Sequence, residues 1–309
     1  MNSKCAPRLD GRRNGRPVVR PRPQRGRARD VVVLYQMKVP SAAGRPALPE
    51  FERPPVAEVA LGVQFRPLPQ LRPLELGALR EKWRPEYPIA QEQPPLPPAT
   101  EGFAPGLPSV QFVIGSAPQT RLWFVREDQT GLLQLQPDRF VVNWRQASST
   151  TPYPRYPSVR AEFEQRFDEL ADYLRDRSLG ALEITQVEIT YINAMTVEAN
   201  EVGHLDHFLR LCTPSVGHHL GDPEQARIAL VFQVPDIGQP PVRLYVSLDP
   251  AARPDGTLAT FFTLTVRGAP HDASRESALR FMDAAHEEVV KSFAELTPDS
   301  RHDEWGRRS

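Results

Sequence analysis

Apolar and polar residues alternate along this chain with two periods, and the switch between them marks the elements. Between residues 132 and 145, Leu133 and Leu135 fall on one side while Gln134 and Gln136 fall on the other. A period of two is that of a half-buried strand. Pro137-Asp138-Arg139 interrupts the ladder, because proline has no N–H to donate and Asp favours turns. Phe140, Val142 and Trp144 then resume the alternation against Asn143 and Arg145. The stretch is expected to be a hairpin or a bulged strand with an unusually polar face, and Phe140 and Trp144 are expected in the core.

The same period recurs in residues 56–65, where Val59, Leu61, Val63 and Phe65 share a face, and in residues 110–114 and 121–126. Spacings of three and four then take over. Leu76, Leu79 and Trp83 predict a helix stopped by Pro85. Val159, Phe163, Phe167, Leu170 and Leu174 predict a long amphipathic helix opened by Pro157 or Ser158, with Gly180 just beyond its end. The pattern then restarts. Residues 182–197 alternate as a strand, and Asn200 is placed to cap a helix reaching Cys212. Strands are expected at 226–234, 242–249 and 258–268, and a last helix at 274–296 carries Leu279, Met282, Val289, Phe293 and Leu296.

Both halves read strand, helix, three strands, long helix. The expected fold class is α+β, in two tandem units over 51–180 and 181–309. Joined edge to edge, they would form one continuous curved antiparallel sheet with long helices on one face and the other face open. That arrangement is similar to the saddle-like double folds of the TATA-binding-protein type and to duplicated small-molecule sensor domains. A shared fold carries no function by itself.

Composition changes the picture at the N-terminus. Residues 1–36 hold ten Arg or Lys against two Asp, whereas the whole chain balances 38 basic with 38 acidic side chains. The remainder therefore has 28 basic and 36 acidic groups, which argues against a basic body built to grip nucleic acid. Residues 1–50 are rich in Arg, Pro and Gly and are expected to be disordered. They read either as a nucleic-acid or membrane-surface tail or, preferentially, as a product of an upstream start, with Met37 the alternative. Two distant cysteines, Cys5 and Cys212, give no disulfide framework and point to the cytoplasm. No apolar run approaches the ~18 residues that span a bilayer. The proline pairs within residues 88–108 read as a stiff surface loop, or as a ligand for a proline-reading domain.

Several pieces resemble an uncharacterised, sporadically distributed family of bacterial proteins. They are Phe51-x-x-Pro54-Pro55 with Glu58-Val59, Gly62-Val63-Gln64-Phe65, and above all Leu135-Gln136-Pro137-Asp138-Arg139-Phe140 with Asn143-Trp144-Arg145. Tyr156-Pro157 and Trp305-Gly306-Arg307 complete the likeness, over residues 51–307. The resemblance implies a soluble bacterial protein and no particular activity. Its patchy distribution is compatible with defence or mobile-element roles.

The chain contains no phosphate-cradling Gly loop, no Gly-x-Ser-x-Gly, no His-Glu-x-x-His and no Cys-x-x-Cys. No cofactor is implied. His204, His207, Cys212, His218 and His219 form a weak zinc candidate, since His204 and His207 share a helix face. Boundary histidines are the preferred reading. The stronger candidate is the polar strand face of Gln134, Gln136, Asp138, Arg139, Asn143 and Arg145, which Glu183, Glu188 and Thr190 are placed to extend. Against it stands the ordinary case, a sheet face that simply meets water, with Asp138 and Arg139 making only a turn and a local ion pair. The expected function is a non-catalytic binding module for a protein or small polar ligand. The alternative is a hydrolase-type enzyme that uses Asp138 or Glu188 as acid–base beside Arg139, or the histidine group, between the two units. No membrane partner is expected, and nucleic acid only through residues 1–36.

Overall fold

The computed structural model describes residues 47–99, 101, 120–196, 207–210, 226–252 and 257–308. Residues 1–46, the strand expected at 110–114, and most of the helix expected from Asn200 to Cys212 lie outside them. Residues 46–309 form one compact unit. In chain order the elements are β1 (Val56–Phe65), α1 (Pro73–Trp83), β2 (Ile89–Gln93), β3 (Arg121–Val125), β4 (Gly131–Gln136), β5 (Arg139–Arg145) and α2 (Tyr156–Asp176). Then come β6 (Ile184–Thr196), β7 (Ile228–Gln233), β8 (Gln239–Ala252), β9 (Leu258–Ala269), α3 (Arg275–Leu296) and α4 (Asp299–Trp305).

All nine strands join one open antiparallel sheet in the order β2-β3-β4-β5-β1-β6-β9-β8-β7. Its seam is β1 against β6, with Val59 opposite Tyr191, Leu61 opposite Ile189 and Val63 opposite Val187. Period two puts these residues on one face, together with Phe140 and Val142 of β5 and Leu264 and Val266 of β9. They are buried because α2 packs on β1 and β5, while α3 packs on β6 and β9. The predicted stripe of α2, from Val159 to Leu174, is wholly buried, and each such Phe or Leu contributes ~1.5–3 kcal/mol.

α3 begins where the last helix is expected, and Ser274 caps it: its hydroxyl accepts from the Ser277 N–H at 3.1 Å. Arg275 then ties α3 to α2 through Glu164 and Asp168 at 2.5–2.7 Å. α1 lies on the same side. Its Trp83 donates to Glu169 at 2.8 Å, and its ring meets Phe124 at 5.3 Å and Phe140 at 5.9 Å.

The structure corrects three expectations. Residues 89–93, expected within a loop, form the edge strand β2; Ala90, Gln91 and Glu92 are exposed and Ile89 is its one large apolar side chain, so pairing with β3 holds the strand without an apolar period. Glu50, expected in a disordered tail, accepts from the Arg308 N–H at 2.8 Å. The chain end adds α4, closed by Gly306 at φ 65°. Phe51 pairs with Arg307 and packs edge-on against Phe293 and Trp305.

The polar sheet face and its proline strap

The face of the sheet away from α2 and α3 collects the nominated residues. Register places Gln64 beside Arg139, Ala60 beside Asn143 and Glu58 beside Arg145 on β1 and β5. Gln134 and Gln136 continue the row on β4. Across the seam, Gly62 opposes Glu188 and Ala60 opposes Thr190, and these in turn face Arg267 and Thr265 of β9. Arg243 and Tyr245 of β8 follow. Glu188 and Thr190 thus do extend the site. Glu183 does not, because it precedes β6 and pairs in solvent with Arg66 at 2.8 Å. Asp138 sits in the two-residue β4–β5 turn, buried, where its carboxylate accepts from Gln136 at 2.5 Å.

The polar groups form a connected strip. Gln134 accepts from Arg121 at 2.9 Å and from the Trp123 indole at 3.0 Å, and it donates to Asn143 at 2.8 Å. Asn143 donates to Glu58 at 2.6 Å. Burial pushes the Glu58 carboxyl above its usual range, partly offset by the Asn143 bond and by Arg145. Thr190 and Thr265 hydroxyls meet at 2.8 Å, and Arg267 donates to Glu188 at 3.1 Å.

Residues 94–99 and 101 lie across this strip. They form the expected surface loop, and the backbone of Leu96, Pro97 and Ala99 is bonded to the strip's side chains. Gln136 holds Leu96 at both ends of its amide, accepting from the Leu96 N–H at 3.0 Å and donating to the Leu96 carbonyl at 3.1 Å. Gln64 does the same for Ala99, at 2.8 and 3.2 Å. Arg139 bridges Gln64 at 2.7 Å and the Pro97 carbonyl at 2.9 Å, instead of closing a local pair with Asp138. Leu96 and Ala99 are three residues apart, which is one turn of a polyproline II helix, so the two glutamines grip the same edge.

Beyond them the Glu101 carboxylate is almost wholly enclosed. It accepts from Arg243 at 2.5 Å and from Tyr245 and Arg267 at 2.6 Å. Burial pushes this carboxyl up, but the bonds from Tyr245, Arg267 and Arg243 outweigh it, and the net shift is downward. Arg267 shows the balance from the other side: burial lowers its pKa, and Glu101 and Glu188 more than restore it.

Gln64, Arg243, Tyr245 and Arg267 were missed in the sequence. Their strands alternate legibly, but alternation tells which side a residue faces, not which strand lies next to it. For Glu101 the only signal was its being the one acidic residue between 93 and 108. Arg121 Nε, Arg145 Nε and Gln186 Oε1 are buried without a hydrogen-bond partner among the described residues.

Of the zinc candidates, His207 alone is described; its carbonyl accepts from Arg301 at 3.3 Å. His204, Cys212, His218 and His219 lie outside the described residues, among which no group of three or more His, Cys, Asp or Glu is placed to hold a metal. No described helix is long and apolar enough to cross a membrane. No protein-family model, curated protein or solved structure matches this chain.

Proposed function

We propose that this protein is a binding module whose polar sheet face receives an extended, proline-containing polypeptide segment with a carboxylate near its end. Its own residues 94–101 are the resident occupant. One observation carries this reading. Gln64 and Gln136 each satisfy both the N–H and the C=O of a single strap residue, so side-chain amides on the sheet's face bond the strap's backbone at both of its polar groups. Such bonds read backbone and tolerate many side chains, while the Arg243–Tyr245–Arg267 clamp demands an acid. A foreign segment of the same chemistry competes for the same groups.

The strand order supports a further part of the proposal, an internal duplication. Outward from the seam the described strands run β1-β5-β4-β3-β2 on one side and β6-β9-β8-β7 on the other, so the first half carries one more edge strand than the second. Each half thus places its first strand at the centre, its last beside it and the others in reverse order.

The test uses the full chain with residues 94–101 replaced by a Gly/Ser segment of equal length. A synthetic peptide of residues 93–101 (Gln-Pro-Pro-Leu-Pro-Pro-Ala-Thr-Glu) is expected to bind it with a Kd of roughly 1–100 μM, and an otherwise identical peptide ending in Gln much more weakly. Arg139→Ala should weaken binding of both. Absence of saturable binding by the acid peptide at millimolar concentration overturns the proposal.

A further inference from the structure

On the opposite, helix-covered face lies a second feature, remote from the polar strip. A cavity of about 350 Å³ opens between the start of α2, the middle of α3 and β6. That is within the size range of small-molecule sites. Val56, Val289, Val290 and Phe293 supply apolar wall. The polar lining is a chain of three groups. Tyr153 and Tyr191 hydroxyls meet at 3.2 Å, and the Tyr191 hydroxyl meets His286 Nδ1 at 2.9 Å. Tyr156 lies flat on the imidazole, with ring centres 3.9 Å apart and planes 5° from parallel.

Arg155 and Glu50 bring charge to the wall of this cavity, and Asp283 is bonded to Tyr156 of its lining. The Arg155 guanidinium donates to the carbonyls of Phe51 and Glu52, both at 3.0 Å. Asp283 accepts from Tyr156 at 2.6 Å and from Arg160 at 3.1 Å. Arg155 itself is held at φ 70°, ψ 158°, a region that is costly for any residue with a Cβ. Strain of this kind is concentrated at functional sites.

We infer that this cavity binds a small, planar molecule bearing a hydroxyl or carboxamide. The hydrogen-bond chain specifies that group. If Tyr153 donates to Tyr191 and Tyr191 to Nδ1, then His286 Nε2 carries a proton to give and the Tyr153 oxygen is left to accept. If every bond runs the other way, Nε2 accepts and the Tyr153 hydroxyl donates. In either state one end of the chain donates and the other accepts, and Nε2 has no partner among the described residues. A ligand group able both to donate and to accept fits both states, and a flat ring fits the aromatic wall.

Phenol is the probe, with toluene as the control of the same shape that lacks the hydroxyl. The full chain, carrying ¹⁵N-labelled histidine, is titrated at neutral pH while the ring nitrogens of His286 are followed by NMR. Phenol should shift them saturably with a Kd of about 1 mM or tighter, in keeping with a ligand of its size. Toluene should bind about fivefold or more weakly, because it makes no hydrogen bond to the chain. Val290→Trp fills the cavity without touching the polar chain and should abolish the shift. Tyr191→Phe breaks the chain and should weaken binding about fivefold or more at unchanged melting temperature of the phenol-free protein, or with a drop that Val290→Trp does not share. No saturation by phenol, equal binding of toluene, or full phenol affinity in Val290→Trp would each overturn the inference.

Discussion

His286 shows what one side chain gives up by entering the core. Burial depresses its pKa to about 4, only partly resisted by Asp283 and Glu287, so the folded protein holds it neutral. Above its ordinary value of 6.5 both folded and unfolded chains leave it neutral, and nothing is lost. As the pH falls from 6.5 towards 4, the unfolded chain takes up a proton that the folded one refuses, and stability drops. At ~1.4 kcal/mol per pKa unit, the loss is on the order of 2–3 kcal/mol. Urea midpoints measured at pH 7 and pH 4.5 should therefore converge between wild type and His286→Gln; parallel curves would refute this.

Glu101 responds with the opposite geometry. Its folded pKa lies below the usual carboxylate value, so its contribution is complete above that value and disappears as pH falls through the folded one. Glu101→Gln should reproduce at neutral pH what acid does to wild type. Hydrogen exchange at the Leu96 and Ala99 amides should accelerate about tenfold or more in the variant, while β6 amides stay protected. Equal exchange in the two proteins would mean the strap does not depend on the clamp.

At the scale of elements, α2 carries a charge network that its stripe does not reveal. Arg166 is buried on the helix with Glu162 at 2.8 Å, Glu169 at 3.1 Å and Glu86 as its partners. Glu162 also accepts from Tyr87 at 2.7 Å and Arg126 at 2.8 Å, joining α2 to β3 and to the chain before β2. Arg166→Ala strands these carboxylates and should cost about 3–5 kcal/mol in a denaturation experiment, against under ~1 kcal/mol for the exposed Arg175→Ala. The helical stripes of α2 and α3 and the alternation of β1, β4 and β5 were legible in the sequence because each buries an apolar face against one partner. β2 was not legible, since an edge strand needs backbone pairing and little else. The strap was hidden for a related reason: it is gripped through N–H and C=O groups that nearly every residue possesses. The β4–β5 half of the polar strip could be nominated from alternation alone. The β8–β9 half could not, because it is brought there by strands about a hundred residues further on.

For the whole molecule the seam decides the behaviour. β1 and β6 are far apart in sequence yet form the centre of the sheet, so both halves share one core. Unfolding should then be a single cooperative event. Amides in β4 and in β9 should lose their strongest protection at the same urea concentration; two separate midpoints would mean the halves fold independently. Leu61→Ala, at the seam, should lower that common midpoint, at a cost of about 3 kcal/mol.

The bridge between Phe51 and Arg307, with Arg308 bonded to Glu50, brings the two ends of this core side by side. The polypeptide therefore traces a nearly closed ring. A short glycine-serine splice from Arg308 to Ala47, with new termini cut at the exposed Asp128–Gln129 turn, gives a circularly permuted chain with the same strand neighbours. In such a chain β4 would come first and β3 last, and the seam would form from segments in reversed order of synthesis.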